Sequence, residues 1–396
     1  MKRVSLLIAL AALGFAEIRR IDPPAASDSG MASLTKGPNG TVYLSWTDTI
    51  GPKEHALRFS RWTGSAWAEP ETIARGTNWF ANWADFPALT ILPDSSMFAH
   101  WLTRTDGGSS YGYGIRVAQK QAGTAPWREI HGMSLGNPSD YAGFLSFAPG
   151  EATALFLAPP GQHDSAVAGQ EHGHRKTVRQ IVFDKQGKVK DEGEVDADAC
   201  SCCPTTIGRT PRGLIAAYRD HQPGEIRDIA VIRQVDGVWT KPRTLHDDGW
   251  KINGCPTDGP SLATAGSQVA IAWLTRAGEA PKVQVTLSSD NGEHFSQPIR
   301  LDSGNPLGRP SIVAAGSSEF FVVWLEKLDA NQNELRIKRI QGNGVTSEPL
   351  VVARVPIGRA AGFPKLAVTG EQILVAWRDQ KVRTALLTTT QLKTEK

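Results

Sequence analysis

The chain has 396 residues, with 43 Lys and Arg against 40 Asp and Glu, a formal net charge of +3. A balance that close excludes the basic footprint of a nucleic-acid or anionic-lipid binder. With 39 Gly, 25 Pro and 12 Trp but 4 Met, and almost no helical periodicity beyond the N-terminus, the composition is that of an all-β chain.

The first element is "MKRVSLLIALAALGFA": Lys2 and Arg3, an apolar run from Val4 to Phe15, then small residues up to Ala16. That is the pattern of a secretory signal peptide, with cleavage expected after Ala16 and a retained N-terminal anchor as the alternative. Loss of Lys2 and Arg3 leaves 41 basic against 40 acidic residues. The expected product is a secreted or periplasmic protein, free of the membrane once the signal is cleaved, in a compartment where disulfides persist.

From residue 17 onward one pattern recurs: a short strand, a turn with Gly or Pro, then an apolar strand ending near an aromatic residue. The seven segments are "SLTKGPNGTVYLSW" (33–46), "ALTILPDSSMFAHW" (88–101), "FLSFAPGEATALFL" (144–157), "TTIGRTPRGLIAAY" (205–218), "SLATAGSQVAIAW" (261–273), "SIVAAGSSEFFVVW" (311–324) and "KLAVTGEQILVAW" (365–377). Six end on Trp46, Trp101, Tyr218, Trp273, Trp324 or Trp377, and one on Leu157. A spacing of roughly 50 to 60 residues fits a four-stranded propeller blade. Most units continue with two more strands, as in 56–74 and 282–301, but the last supplies only a third, "VRTALLTT" (382–389). "EIRRI" (17–21) can supply the missing outer strand, which closes the ring and removes its open edges. The sequence therefore predicts one domain, 17–396, an all-β propeller of seven four-stranded blades, with six blades as the alternative.

Within the fifth unit, "SSDNGEHF" (288–295) carries Ser288, Asp290, Gly292 and Phe295 in the order S-x-D-x-G-x-x-W/F. This resembles the Asp-box, or BNR repeat, of the sialidase (neuraminidase) superfamily of β-propellers. In such a box Asp caps the turn between a blade's third and fourth strands, Gly permits a positive φ, and the aromatic ring tucks beneath. "SRWTGSAW" (60–67) has the same spacing with Trp62 in place of Asp. The box is a structural turn. The resemblance implies an exo-sialidase-type glycosidase releasing an acidic sugar, with three arginines clamping the substrate carboxylate, a Tyr nucleophile with a Glu partner, and an Asp acid/base. Arg suits the clamp because its planar fork binds a carboxylate through two hydrogen bonds.

The family's F/Y-R-I-P run is absent, so candidates are chosen by loop position. Loops joining second to third strands share a face with the loops between blades, and ligands use that face. Between blades stand Asp85, Asp140 with Tyr141, Asp198, Asp258, Arg309 and Arg359; structural capping by Asp and solvation of Arg are the plain alternatives. The other loops add Arg378 and the run "YRDHQPGEIRDIAV" (218–231). The resemblance then implies Arg219, Arg309 and Arg378 as the clamp, Tyr218 and Glu225 as the nucleophile pair, and Asp85 as a catalytic carboxylate. Tyr218 also stands where neighbouring units have Trp, which would bury it.

Three of the four cysteines, Cys200, Cys202 and Cys203, crowd into "DADACSCCPTTIGR", and Cys255 lies in "WKINGCPTDGP". These are equivalent loops leading into the fourth and fifth blades, so they should meet. The third blade's long loop (159–176) adds His163, His172 and His174 to the same face. One reading is disulfides, with Cys255 joined to one of the three across the blade boundary. Its rival is a Cu or Zn site built from these cysteines and histidines, and a redox-active thiol pair is the third. Expected partners are a glycan or small molecule on the loop face, with no nucleic acid, and a monomer is expected. A non-catalytic glycan- or protein-binding propeller and a metal-binding exported protein are the alternatives to the glycosidase.

Overall fold

A computed structural model of the chain describes residues 18–392 except 108, 109, 111, 134–139 and 161–174. Residues 1–17 lie outside it, and with them the expected signal segment.

Every blade begins at the central channel and steps outward by hairpins. A two-residue strand, β1 (Arg19–Arg20), comes first. Then follow β2 (Ser29–Lys36), β3 (Val42–Gly51), β4 (Glu54–Arg61) and β5 (Glu71–Gly76) in the first blade, and β6 (Ala88–Ile91), β7 (Met97–Arg104), β8 (Tyr113–Lys120) and β9 (Arg128–Met133) in the second. The third holds β10 (Gly143–Phe147), β11 (Thr153–Ala158), β12 (Arg175–Phe183) and β13 (Val189–Cys200). The fourth holds β14 (Thr206–Thr210), β15 (Gly213–Arg219), β16 (Ile229–Val235), and an outer strand split into β17 (Val238–Trp239) and β18 (Arg243–Thr244). The split falls at Pro242, which has no N–H to give the ladder. The fifth holds β19 (Ser261–Ala265), β20 (Gln268–Thr275), β21 (Lys282–Ser288) and β22 (Ile299–Arg300), and the sixth β23 (Pro306–Ala315), β24 (Glu319–Lys327), β25 (Gln332–Gln341) and β26 (Leu350–Pro356).

The seventh blade has the order β1-β29-β28-β27, from β27 (Lys365–Thr369), β28 (Gln372–Asp379) and β29 (Lys381–Thr388). Arg19 pairs with Leu386 and Arg20 with Ala385, so the two chain ends share one sheet as the sequence predicts. Seven blades, not six, complete the ring. Among the described residues no helix is long and apolar enough to cross a membrane.

Strand periodicity explains why the second strands read as continuous apolar runs. In β24, Phe321, Val323 and Leu325 pack toward the seventh blade, against Leu366, Val368 and Ile373. Their alternates Phe320, Val322 and Trp324 pack toward the fifth, against Ala270, Val283 and Val285. Both faces of a blade are interfaces, so alternation carries no polar side. Tyr218 takes the Trp position in its blade and is buried beside Leu157, confirming that structural placement.

The 288–295 turn is capped by its own side chains. It joins β21 to β22; Asp290 Oδ1 accepts N–H bonds from Glu293 at 3.0 Å and His294 at 2.9 Å, and Ser288 Oγ accepts one from Gly292 at 3.0 Å. Gly292 sits at φ 77°, and an added Cβ would strike Ile215 of the fourth blade. In the degenerate copy, Trp62 packs edge-on against Trp67 and donates its indole N–H to Gln372 of the seventh blade, so it substitutes an interface bond for the cap.

Candidate functional site

The loop face is organised by a device that recurs between blades. Asp85 and Asp258, both buried, each reach into the next blade and accept a backbone N–H at the start of its inner strand. Asp85 Oδ1 takes Phe144 N–H at 2.9 Å, and Asp258 Oδ2 takes Arg309 N–H at 2.8 Å. Phe144 and Arg309 have φ of 54° and 58°, each follows a glycine, and the register of each inner strand shifts there. The carboxylate thus satisfies an N–H turned out of the ladder by a bulge. Tyr113 Oη also donates to Asp85, at 2.8 Å. Burial raises Asp85 to about 7 against the pull of both bonds, and Asp258 likewise to about 6. With both oxygens engaged, Asp85 joins blades at the lining of the central channel.

The three arginines chosen for the clamp divide. Arg219 is buried, and each of its three nitrogens donates to a backbone carbonyl: Nε to Asp258 at 2.8 Å, Nη1 to Arg227 at 2.6 Å and Nη2 to Leu274 at 2.8 Å. Its guanidinium also stacks 4.5 Å from the Trp250 ring. It bolts the fourth blade to the fifth, with every guanidinium nitrogen already engaged by a backbone carbonyl. Arg309 and Arg378, by contrast, meet at a 3-10 turn, Gly358–Ala361, before the seventh blade. Arg309 Nη1 donates to Gly362 O at 2.7 Å, and Arg378 Nη1 to Ala360 O at 3.4 Å. Arg359, on that turn and exposed, makes the third cation.

An aromatic bench underlies them. The guanidinium carbons of Arg309 and Arg359 lie 4.5 and 5.6 Å from the Trp83 ring, which stacks on Phe363 at 5.7 Å. Trp83, Phe363, Arg359 and Arg378, with Asp28, His55 and Asn82, line a cavity of about 180 Å³. Phe86 and Phe363 also line the larger central channel, about 540 Å³, so the cavity opens at the channel mouth. Lys365, held down to about 8 by burial, stands beneath with its ammonium 4.7 Å from the Phe86 ring. Apart from the arginines, the titratable groups among the described lining residues are Asp28 and His55. Asp28 lies 3.6 Å from Arg378, and burial lowers the His55 pKa in spite of Asp28. The recurring Gly-Arg of "LGRP" and "IGRAAGFP" pointed to Arg309 and Arg359, whereas nothing in the local sequence around Trp83 or His55 signalled a site.

The nucleophile pair is not brought together by hydrogen bonding. Tyr218 Oη donates to Asp196 at 2.6 Å, and burial first, then Asp196, push its pKa far up. A phenol so placed resists ionisation. Glu225 instead pairs with Arg227 at 2.5 Å and His221 Nε2 at 3.4 Å, while His221 Nδ1 meets Asp198 at 2.8 Å.

The cysteine loops do meet, joined by a Cys202–Cys255 disulfide. Cys200 and Cys203 remain as buried thiols with their sulfurs 3.0 Å apart. Sulfurs of Cys200, Cys202 and Cys203 lie within 4.8 Å of one another, a spacing that could hold a metal ion. With Cys202 and Cys255 in the disulfide, however, the donor set contracts to two thiols. His163, His172 and His174 lie outside the described residues.

No family model matches the sequence, and no curated protein matches it either. Similarity appears among solved structures. An ulvan lyase of polysaccharide lyase family PL25, bound to a glucuronate–sulfated rhamnose unit, superposes with a TM-score of 0.56 at 13% identity, covering 96% of this chain and 99% of that one. An α-L-arabinofuranosidase of Fusarium graminearum gives 0.51 at 11% identity, covering 94% and 98%. A Hadza microbial sialidase gives 0.48 at 10%, covering 92% of this chain and 66% of its own, so the chain spans about two thirds of that protein. At these identities the likeness to the lyase and the arabinofuranosidase speaks for the propeller fold.

Proposed function

We propose that this protein is an exported carbohydrate-active propeller that takes an acidic saccharide at the channel mouth. The observation carrying this reading is the convergence of Arg309, Arg359 and Arg378 around the Trp83–Phe363 bench beside an open cavity. Guanidinium forks recognise carboxylate or sulfate, and an aromatic face covers the apolar side of a sugar ring. The ulvan lyase and arabinofuranosidase likenesses are compatible with a glycan ligand. In this cavity Arg359 and Arg378 would neutralise the acidic group, and Asp28 would keep Arg378 oriented. His55, neutral at pH 7 because its pKa is lowered, is the base within the cavity. That set suits removal of a proton beside a neutralised carboxylate better than the two-carboxylate displacement of a glycosidase.

Binding of oligosaccharides bearing uronate, sialate or sulfate, measured by calorimetry against neutral counterparts, tests the site. Arg359→Ala and Arg378→Ala should each weaken acidic-ligand binding by roughly 10- to 100-fold, the range for a lost charge-assisted hydrogen bond. Equal affinity for neutral sugars, or binding indifferent to both substitutions, would discard this site. Product analysis then separates the chemistries: an unsaturated uronate reports elimination, a released intact acidic sugar reports sialidase-type hydrolysis, and neither reports a binding propeller.

A further inference from the structure

The Cys200–Cys203 pair is absorbed neither by the saccharide site nor by the staple. Its two sulfurs are 3.0 Å apart, in an i, i+3 arrangement that a disulfide could close with little movement. Cys200 Sγ is also 3.9 Å from Cys202 Sγ, one half of the existing disulfide. The other half, Cys255, is exposed, and Cys202 is half-buried. The disulfide therefore reaches the surface at Cys255, and its Cys202 end abuts the buried Cys200–Cys203 pair.

The surroundings favour a thiolate at Cys200. Arg227 is fully buried, and its Nε and Nη1 meet no acceptor among the described residues. Its Nη2 is paired with Glu225, and the two unmet nitrogens favour a further anion beside them. The sulfur at Cys200 lies within its electrostatic reach, as it does within that of Arg219. The S–H bond from Cys203 chiefly lowers the Cys200 pKa, with help from Cys202 N–H and both arginines against the opposing effect of burial. Burial and its neighbour Cys200 raise Cys203. One sulfur is thus prepared as nucleophile and the other as the protonated reserve.

We propose that Cys200 and Cys203 form a reversible two-electron thiol site, connected to the surface through the Cys202–Cys255 disulfide, that exchanges with external disulfides and dithiols. In the oxidising direction the Cys200 thiolate attacks Cys202 Sγ, forming a Cys200–Cys202 bond and expelling Cys255 as thiolate. Cys203 transfers its proton to that thiolate by way of solvent and attacks Cys200 Sγ, closing Cys200–Cys203 and releasing Cys202 as thiolate. These two steps move the disulfide inward with no net change of oxidation state. An external disulfide then reacts with Cys255, losing one thiol, and Cys202 resolves the mixed disulfide at Cys255 Sγ, losing the second. Two electrons have left the buried dithiol, two external thiols have formed, and the staple is restored. An external dithiol runs the sequence backwards.

The test compares two variants that lose the same staple. Full-length protein, Cys255→Ser and Cys202→Ser are reduced with dithiothreitol, desalted and exposed to glutathione disulfide under native conditions. Samples are acid-quenched, alkylated and mapped by mass spectrometry. Circular dichroism confirms that both variants are folded, and any defect from loss of the staple is common to them. The wild type should form Cys200–Cys203 while folded. Cys255→Ser, which keeps the relay sulfur at 202, should close that bond about as fast. Cys202→Ser should close it at least about tenfold more slowly, because the route inward is gone. Equal rates in the two variants, or no Cys200–Cys203 bond in the folded wild type, would overturn the proposal. So would a stoichiometric metal that shields both thiols from alkylation.

Discussion

Asp85 shows how a single residue can look catalytic in sequence and be architectural in space. It occupies the loop face that a ligand would use, yet its oxygens receive Tyr113 Oη and Phe144 N–H. Its pKa is raised to about 7 from an ordinary 3.8. The folded state therefore binds a proton that the unfolded state has already released between those values. Stability from this group is present below about pH 4 and is lost as pH rises toward 7. Asp85→Asn keeps the shape without the charge, so its melting temperature relative to wild type should improve steadily from pH 4 to pH 8. A difference that stays flat over that range would show that Asp85 does not titrate as described. Arg219 teaches a related lesson: an arginine in the right loop is available to a ligand only if the backbone has left its fork open.

At the scale of elements, the inter-blade bulges couple neighbours more tightly than hairpin pairing alone. Gly308 lies at φ 104°, and an added Cβ would come 2.4 Å from Asp258 Oδ2 and 2.7 Å from Leu274 Cδ2. Gly308→Ala should destabilise the protein by about 2 kcal/mol or more, combining backbone strain and overpacking at one bulge. Urea unfolding reads this directly, and Gly304→Ala, at φ 120° with no atom near its Cβ, isolates the strain component. The staple acts on the neighbouring boundary, between the fourth and fifth blades. Cys202 and Cys255 are 53 residues apart, and opening a loop of that size lowers stability by about 4 kcal/mol in the chain-entropy account. Cys255→Ser should show a loss of that order without rearranging the blades.

For the whole molecule, closure depends on a short contact at the chain's two ends. Only Arg19 and Arg20 pair as strand residues with β29, but the seam is extended by Ile21 N–H to Thr384 O at 2.9 Å and by the Trp67 indole N–H to Thr384 Oγ1, also at 2.9 Å. Trp67 belongs to the first blade, so the seam locks first and seventh blades together as well as filling the outer strand. Removing residues 1–22 should lower the melting temperature by several degrees and promote association through the uncovered edge of β29. Size-exclusion chromatography with light scattering would register the second effect; a monomer of unchanged melting temperature would show that closure contributes little.

The repeat count, the pairing of N- and C-terminal strands and the box turn were legible in sequence because each follows from local pattern: alternation, turn residues, and a unit that lacks a strand. The meeting of the two cysteine loops was legible for the same reason, since equivalent loops of adjacent blades must be neighbours. Which cysteines join was not, because three candidates stand within four residues of one another and only side-chain direction separates them. Likewise the arginine cluster could be placed on a face but not assembled. Arg219 and Arg378 both lie at the ends of second strands, yet only the tertiary structure ties one to three carbonyls and leaves the other at a cavity. Trp83 and His55 become part of a site solely through curvature, which brings the first, second and seventh blades around one channel mouth. Sequence by itself determined the ring and its seams, because these are set by hydrogen-bonding period and hydrophobic pattern. The site was decided by three-dimensional packing, because the availability of a charged group depends on which backbone carbonyls happen to surround it.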